Sequence, residues 1–412
     1  MASQTPVTSK STEAAFVSKL EIKSNKDESK TVSLTGGFVE LLYYESILQD
    51  TVRADVVFTD TGNAIDEKSV IEGLPLVGTE EVNIKFADTN EEEISVKLYV
   101  NKVTPAYEDA ERSLISIGLV SEEYIKNELG GSKLNIRFDG KISDHIDKIL
   151  TKFLKTEKDV DIEETSNNYN FVGNNKKPYY TMNWLSKFGV PSKDGESGST
   201  AGFFFWETSE GFKFKSIDSL FAQDSKKKFI YNGTDDGKGI PAGYDGKILE
   251  QTTDNRIDYQ SKIRMGAYGT KLVVFNPFDC FYEVVPQTAE ETEGGTTGGG
   301  EALPVFNKKF KNPSDEENFT RTTFMLIDTG TLPSGDGKEQ VDKNEEPNFE
   351  AQTVLNQGIR RYNQMFQQQM SITIGGDFEL HAGDAIYIDT CLLYTSDAAD
   401  EGLGVDLGGR RI

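Results

Sequence analysis

Residues 357 to 390 read QGIRRYNQMFQQQMSITIGGDFELHAGDAIYIDT, and this stretch decides the fold. Its first part completes a helix running from Phe349 to about Met370. Val354, Leu355, Ile359, Tyr362, Met365 and Phe366 recur there at the spacing of one buried face, and polar side chains coat the rest. Gly375-Gly376 and Ala382-Gly383-Asp384 then punctuate a β-branched and aromatic run, which predicts two strands joined by turns, the last from Ala385 to Thr390. A helix returning the chain to a small sheet implies a mainly β domain of the α+β class.

The same strand signature fills the N-terminal part. After a small, polar start at residues 1–13, expected to be disordered, strands are predicted at 16–22, 31–43, 52–60, 82–86, 94–103 and 113–120. Asp60-Thr61-Gly62-Asn63, Leu74-Pro75-Leu76 and Ala87-Asp88-Thr89-Asn90 separate them. A short helix SEEYIKNEL follows, with Ser121 as N-cap and Gly130-Gly131 as its stop. Residues 14–131 thus read as one small barrel or sandwich.

Residues 132–246 read as a different module. Ile142, Ile146, Ile149, Leu150 and Phe153 share a helical face behind Ser143 as N-cap, and Thr181 to Phe188 places Trp184, Leu185 and Phe188 on a common side. FFFWE, the turn TSEG and FKFKSI form a hairpin, followed by the helical SIDSLF and the strand KKFIYN. A second β domain opens at 247–275 and closes with 349–390. Between them, 276–348 reads as an inserted module. ETEGGTTGGG and SGDGKEQVDKNEEP are linker-like in composition, and NFTRTTFMLID reads as an ordered piece between them.

From Cys391 the letters change character. CLLYTSDAADE and GVDLGGRRI resemble translated transposon-tagging sequencing adaptors. Residues 391–412 are therefore read as a non-native tail outside the fold, and the natural reading frame is expected to continue past Thr390.

The formal charge is −24, and setting aside the four acidic and two basic side chains of that tail leaves −22. Such a balance repels phosphate backbones and anionic lipid. It argues against sequence-tolerant nucleic-acid or membrane-surface binding by the whole surface, and no sequence-specific nucleic-acid partner is expected. About 390 residues suffice for two to four domains with their own cores. Cys280 alone remains once Cys391 is discounted, so no disulfide framework or cysteine-rich zinc site is expected, in keeping with folding in a reducing cytoplasm. No apolar run reaches the roughly 20 residues that span a bilayer, so no membrane insertion is expected. The sequons at Asn232 and Asn318 carry no weight in an unsecreted chain.

Three blocks carry a family resemblance. YYESILQDTVRADVVFTDTGN with GLPLVGTEEVNIKF and SLISIGLVSEEYIKNE resembles the first tube domain of the baseplate central hub subunit of T-even-type contractile-tailed phages. The stretch from Pro178-Tyr179 through GFFFWETSEGFKFKSIDSL resembles the middle of that family, and residues 357–390 resemble its second tube domain. The resemblance implies two tail-tube-like β-barrel domains with intervening α+β modules. It also implies a homotrimer whose six similar domains join a six-fold tail tube to a three-fold central spike, in the virion's tail baseplate. Its partners would be the spike protein and the tail tube and baseplate proteins. No residue-level repeat relates the two halves. Candidate interface residues are Tyr43, Tyr44, Glu45, Phe203, Phe205, Phe378 and His381.

The two histidines, His145 and His381, fall in different modules and read as surface or interface residues, so no zinc or iron site and no cofactor is expected. Abundant Asp and Glu make chance carboxylate pairs uninformative. Gly298 to Gly300 lack a phosphate-loop ending, and Thr234 to Gly239 lack the distal Glu of a calcium loop. The FFFW cluster fits a subunit face better than a sugar platform. The chain is thus expected to be no enzyme. The alternatives are a tail-associated cell-wall hydrolase, or a hub fused to one, and a carbohydrate-binding β protein.

Overall fold

The computed structural model describes residues 15–27, 29–62, 65, 67–88, 93–108, 113–192, 201–231, 240, 243–255, 258–266, 270–276, 280–287, 321–326, 354, 362 and 368–390. The expected tail at 391–412, the glycine tract, the 234–239 turn and most of the 349–370 helix lie outside these residues. The chain is α+β and mainly β, as expected, and no described helix is long and apolar enough to cross a membrane.

Seven N-terminal strands form one antiparallel sheet: β1 (Phe16–Lys23), β2 (Thr31–Ser33), β3 (Phe38–Tyr44), β4 (Arg53–Asp60), β5 (Glu81–Ala87), β6 (Glu93–Glu108) and β7 (Ser113–Val120), in the order β2-β1-β5-β6-β7-β4-β3. Laid flat, seven strands would separate the edges by about 29 Å, yet the link from Ser33 to Phe38 reaches only about 17 Å. The sheet must therefore curl. Register shifts in β1, β3 and twice in β6 supply the bends. The link itself joins distant strands, because the Leu34 N–H donates to Leu20 O at 2.8 Å and Gly37 O accepts from the Thr59 N–H at 2.8 Å. The expected single strand at 31–43 is thus two edge strands around a turn. Alternate residues point inward, so Leu20, Ile22, Ala54, Val56, Phe58, Val82, Ile84, Ile115 and Ile117 fill the concave side. Each large aliphatic there contributes about 1.5–3 kcal/mol. Helix α1 (Val70–Gly73) closes one end, with Ser69 Oγ accepting the Glu72 N–H.

The middle module carries α2 (Glu122–Glu128), β8 (Arg137–Phe138), α3 (Ile142–Lys148), β9 (Asp159–Ile162), β10 (Phe171–Val172), α4 (Pro178–Leu185), β11 (Phe203–Thr208), β12 (Gly211–Ser216) and α5 (Ile217–Phe221). Helix α3 widens into a π-helical turn at Ile149–Leu154 and stops at Lys155, whose φ is +51°. Ser143 is not its N-cap. The helix starts two residues earlier, at Ile142 with Lys141 as N-cap, and the Ser143 N–H donates to Thr165 Oγ1 at 3.0 Å, so a side chain from a distant loop satisfies it. Ser121 precedes α2 but makes no side-chain cap bond, because its hydroxyl pairs with Thr51 Oγ1 at 2.8 Å. Strands β11 and β12 form the expected hairpin, with β9 parallel to β12. Phe203 stacks on Phe214 at 4.6 Å and Phe138 on Phe171 at 4.8 Å.

The C-terminal part contains β13 (Lys227–Tyr231), β14 (Gly246–Asn255), α6 (Tyr259–Met265), β15 (Thr270–Asn276), β16 (Phe281–Gln287), β17 (Arg321–Leu326), β18 (Gln368–Ile374) and β19 (Ile386–Asp389). They form sheets ordered β18-β14-β13-β19 and β16-β15-β17. These pairings cross the boundaries drawn from sequence. β13, read as middle module, sits between β14 and β19, and β16 and β17, read as insertion, flank β15. β13 pairs with both neighbours in parallel, as does β15 with β17, a pattern the N-terminal sheet lacks. The helix expected to run to Met370 has already given way to β18 at Gln368. Val354 is buried in one cluster with Leu272, Val274 and Val285 of β15 and β16.

Candidate functional site: the inter-module junction

Glu45, just past β3, is held by three parts of the chain. Its Oε1 accepts from the Tyr43 hydroxyl at 3.0 Å and from the Ser209 N–H in the β11–β12 turn at 2.6 Å. Its Oε2 accepts from the Ala382 N–H at 3.2 Å and lies 3.4 Å from His381 Nδ1. Both partners come from the strap between β18 and β19. Burial works to raise the Glu45 carboxyl, but His381 and the N–H groups of Ser209 and Ala382 outweigh it and hold it below the usual carboxylate value. His381 is raised above its ordinary value, chiefly by Glu45, against desolvation and with help from Glu210. Burial beside Glu45 pushes the Tyr43 hydroxyl far up, so it stays a donor.

The strap is fixed at further points. Trp206 Nε1 donates to Ala382 O at 2.8 Å, Gln223 Nε2 to Gly383 O at 3.0 Å and the Lys226 N–H to Ala385 O at 2.8 Å. Lys226 pairs with Asp384 at 2.8 Å, and the buried Lys227 reaches Asp377 and Glu379. Gly383 has φ +100°, and a Cβ there would stand 2.6 Å from Trp206 Cζ2. Only glycine allows the indole this approach.

A second junction is ionic and deeper. Glu207, at the end of FFFWE, is 1% exposed. Its Oε2 accepts from Thr51 Oγ1 and from the Val52 N–H, each at 3.0 Å, and its Oε1 accepts from Lys158 Nζ at 2.5 Å. Lys158 also donates to Glu123 Oε2 at 2.6 Å, and Thr156 donates to Glu123 Oε1 at 2.7 Å. One lysine therefore serves two buried carboxylates. Burial, opposed by Lys158 and reinforced by Glu123, leaves Glu207 raised. Glu123 is lowered because Lys158 and Thr156 outweigh its own burial, and Lys158 is raised because the two carboxylates outweigh desolvation. The arrangement binds the start of β4, α2 and the hairpin together.

Of the seven candidate interface residues, the structure brings four to the first junction. Tyr43, Glu45 and His381 meet directly, and Phe378 contacts Phe86, which in turn contacts Tyr43, with ring centroids 5.8 Å and 5.5 Å apart. Tyr44 is exposed on the β3 edge. Phe203 and Phe205 are core residues packed against Phe214 and Phe212, so they face their own chain. The whole FFFWE strand is buried on both sides, with Phe204 and Trp206 against Ile217 and Tyr362, which leaves no platform for a sugar. His145 is not at a surface either. It is 2% exposed, its Nε2 lies 2.7 Å from Tyr169 O, and burial lowers its pKa. Sequence reading missed Thr51, Glu123, Lys158 and Glu207. The signal for one of them was present, since Glu207 ends an aromatic run too apolar to expose an acid harmlessly.

No family model matches the chain, and no curated protein matches it. Among solved structures it is similar to the 43 kDa tail protein of prophage MuSo2 from Shewanella oneidensis, at TM-score 0.47 and 11% identity over 90% of this chain and 87% of that one. A tail protein from Neisseria meningitidis gives TM-score 0.47 and 8% identity over 92% and 87%. The prophage tail protein gp18 from Listeria monocytogenes gives 0.46 and 10% over 90% and 85%. Among the described residues no group of three or more His, Cys, Asp or Glu could hold a metal ion.

Proposed function

We propose that the chain is a structural subunit of a contractile-tail baseplate, the hub ring between tail tube and central spike, acting as a homotrimer. The observation that carries this reading is apolar surface at open sheet edges. β3 is an edge strand, and Val39, Leu42, Tyr44 and the following Leu48 are exposed along it. An edge of this kind favours pairing with another chain. The buried junctions support the same reading, because they join the modules through ionic and backbone contacts suited to passing load through the subunit. In this reading the tube-like parts line the ring and the middle module lies outside it, with DNA passing through an acidic lumen.

Light scattering on the purified chain tests the proposal. A mass three times 45.7 kDa is expected, falling to one chain when Leu42 or Tyr44 is replaced by Asp. A wild-type chain that stays monomeric at micromolar concentration and does not bind a tail tube or spike protein would end the hub reading. A glycan-dependent mobility shift would favour the carbohydrate-binding alternative instead.

A further inference from the structure

The strap between β18 and β19 joins the C-terminal sheet to the rest of the molecule, and the charged groups gathered around its His381 balance only when the imidazole is protonated. His381 faces Glu45 Oε2 at 3.4 Å through Nδ1 and Glu210 Oε1 at 3.6 Å through Nε2, with Ser209 Oγ 3.3 Å from Nδ1. The His381 N–H donates to Asp384 Oδ2 at 2.9 Å. Glu210 also has Lys213 at 2.8 Å, and Asp384 has Lys226 at 2.8 Å. Among the described residues the cation at ion-pair distance from Glu45 is His381. The remaining partners of Glu45 are the neutral Tyr43 hydroxyl and two N–H groups. With a neutral imidazole the cluster of Glu45, Glu210, Asp384, Lys213 and Lys226 carries one uncompensated negative charge at a site where Glu45 and His381 are each about one-tenth exposed. With the imidazolium it carries none.

We infer that the strap is a pH-sensitive clasp, in which protonated His381 locks the C-terminal sheet onto Glu45 and the hairpin turn, and loss of that proton loosens it. Because His381 is raised, its contribution is fully present below the ordinary value of 6.5 and is lost as pH rises through the raised value. Because Glu45 is lowered, its contribution is present above 4.5 and is lost as pH falls through the lowered value. The clasp is therefore tightest in mildly acidic solution. Trp206, Gln223 and Lys227 hold the strap by contacts that do not involve the imidazole, so the loosened state is a local opening.

The chain has two histidines, so imidazole NMR on the whole protein resolves both. His381 should titrate above 6.5 and His145 below it. Amide exchange at residues 376–385, corrected for the intrinsic rate, should accelerate between pH 6 and pH 9 by about tenfold for each unit by which His381 is raised. His381→Gln should abolish this acceleration. Glu210→Gln, at a carboxylate 52% exposed and so tolerant of change, should move the opening to lower pH. A His381 that titrates at or below 6.5, or an exchange profile unchanged in both variants, would overturn the inference. If His381→Gln fails to fold, the wild-type titration and the Glu210→Gln shift decide it.

Discussion

Glu207 and Val52 lie 155 residues apart, yet the carboxylate of the first accepts the backbone N–H of the second at 3.0 Å inside the protein. That bond makes the middle hairpin an integral neighbour of the N-terminal sheet, and the cation that makes the buried carboxylate tolerable is Lys158. Removing that cation should be far worse than neutralising the acid. Lys158→Met strands Glu207 and Glu123 together and is expected to cost about 3–5 kcal/mol. Glu207→Gln keeps an acceptor for Val52 and Thr51 and relieves repulsion from Glu123, so about 1 kcal/mol or less is expected. Urea unfolding of both variants checks the order, and equal losses would show that the shared lysine does not dominate.

Gly383→Ala should destabilise the strap by about 1–3 kcal/mol, since it forces an alanine to φ +100° and drives its Cβ against the Trp206 indole. Gly62→Ala, at φ +78° with nothing within 4 Å, carries only the backbone strain and should cost less. Thermal midpoints of the pair separate contact from conformation. Tryptophan emission should shift only for Gly383→Ala.

His145→Ala should cost about 2–4 kcal/mol, because it opens a cavity beside the stacked Phe138 and Phe171 rings and removes the bond to Tyr169 O. The pH dependence of this site opposes that of the clasp. His145 is lowered by burial, so its contribution to stability is present above 6.5 and is lost as pH falls through the lowered value. Comparing wild type and His145→Leu between pH 7 and pH 5 should show a shallower acid loss in the variant.

The outer side of the three-stranded sheet gives a prediction about assembly. Register places Val284, Val273 and Phe324 in one row and Tyr282, Phe275 and Leu326 in the next, while Leu272, Val274 and Val285 on the other side are buried. A sheet apolar on both faces favours having both covered. Phe324→Glu should leave the circular dichroism spectrum unchanged and raise the midpoint concentration for self-association at least tenfold. An unchanged association curve would remove this face from the assembly surface.

Much of the fold was legible in local pattern. Period-two alternation gave the strands around Val56, Ile84 and Ile117, and TSEG between aromatic runs gave the hairpin, because inside-outside alternation and turn chemistry are written in neighbouring letters. The register of distant segments was not written there. β13 looked like the end of the middle module until β14 and β19 were seen on either side of it. His145 read as a surface or interface residue because the rings it packs against come from positions 138 and 171.

The sequence by itself determined the mainly β class, the helical face of Ile142, Ile146, Ile149 and Leu150, and the acidic balance, since each depends on composition or on residues a few places apart. Tertiary structure alone decided the junctions. Whether Glu207 meets Lys158, or Glu45 meets Ser209 and His381, depends on how separate sheets and turns dock. A charge is tolerated inside a protein only where that docking supplies its partner.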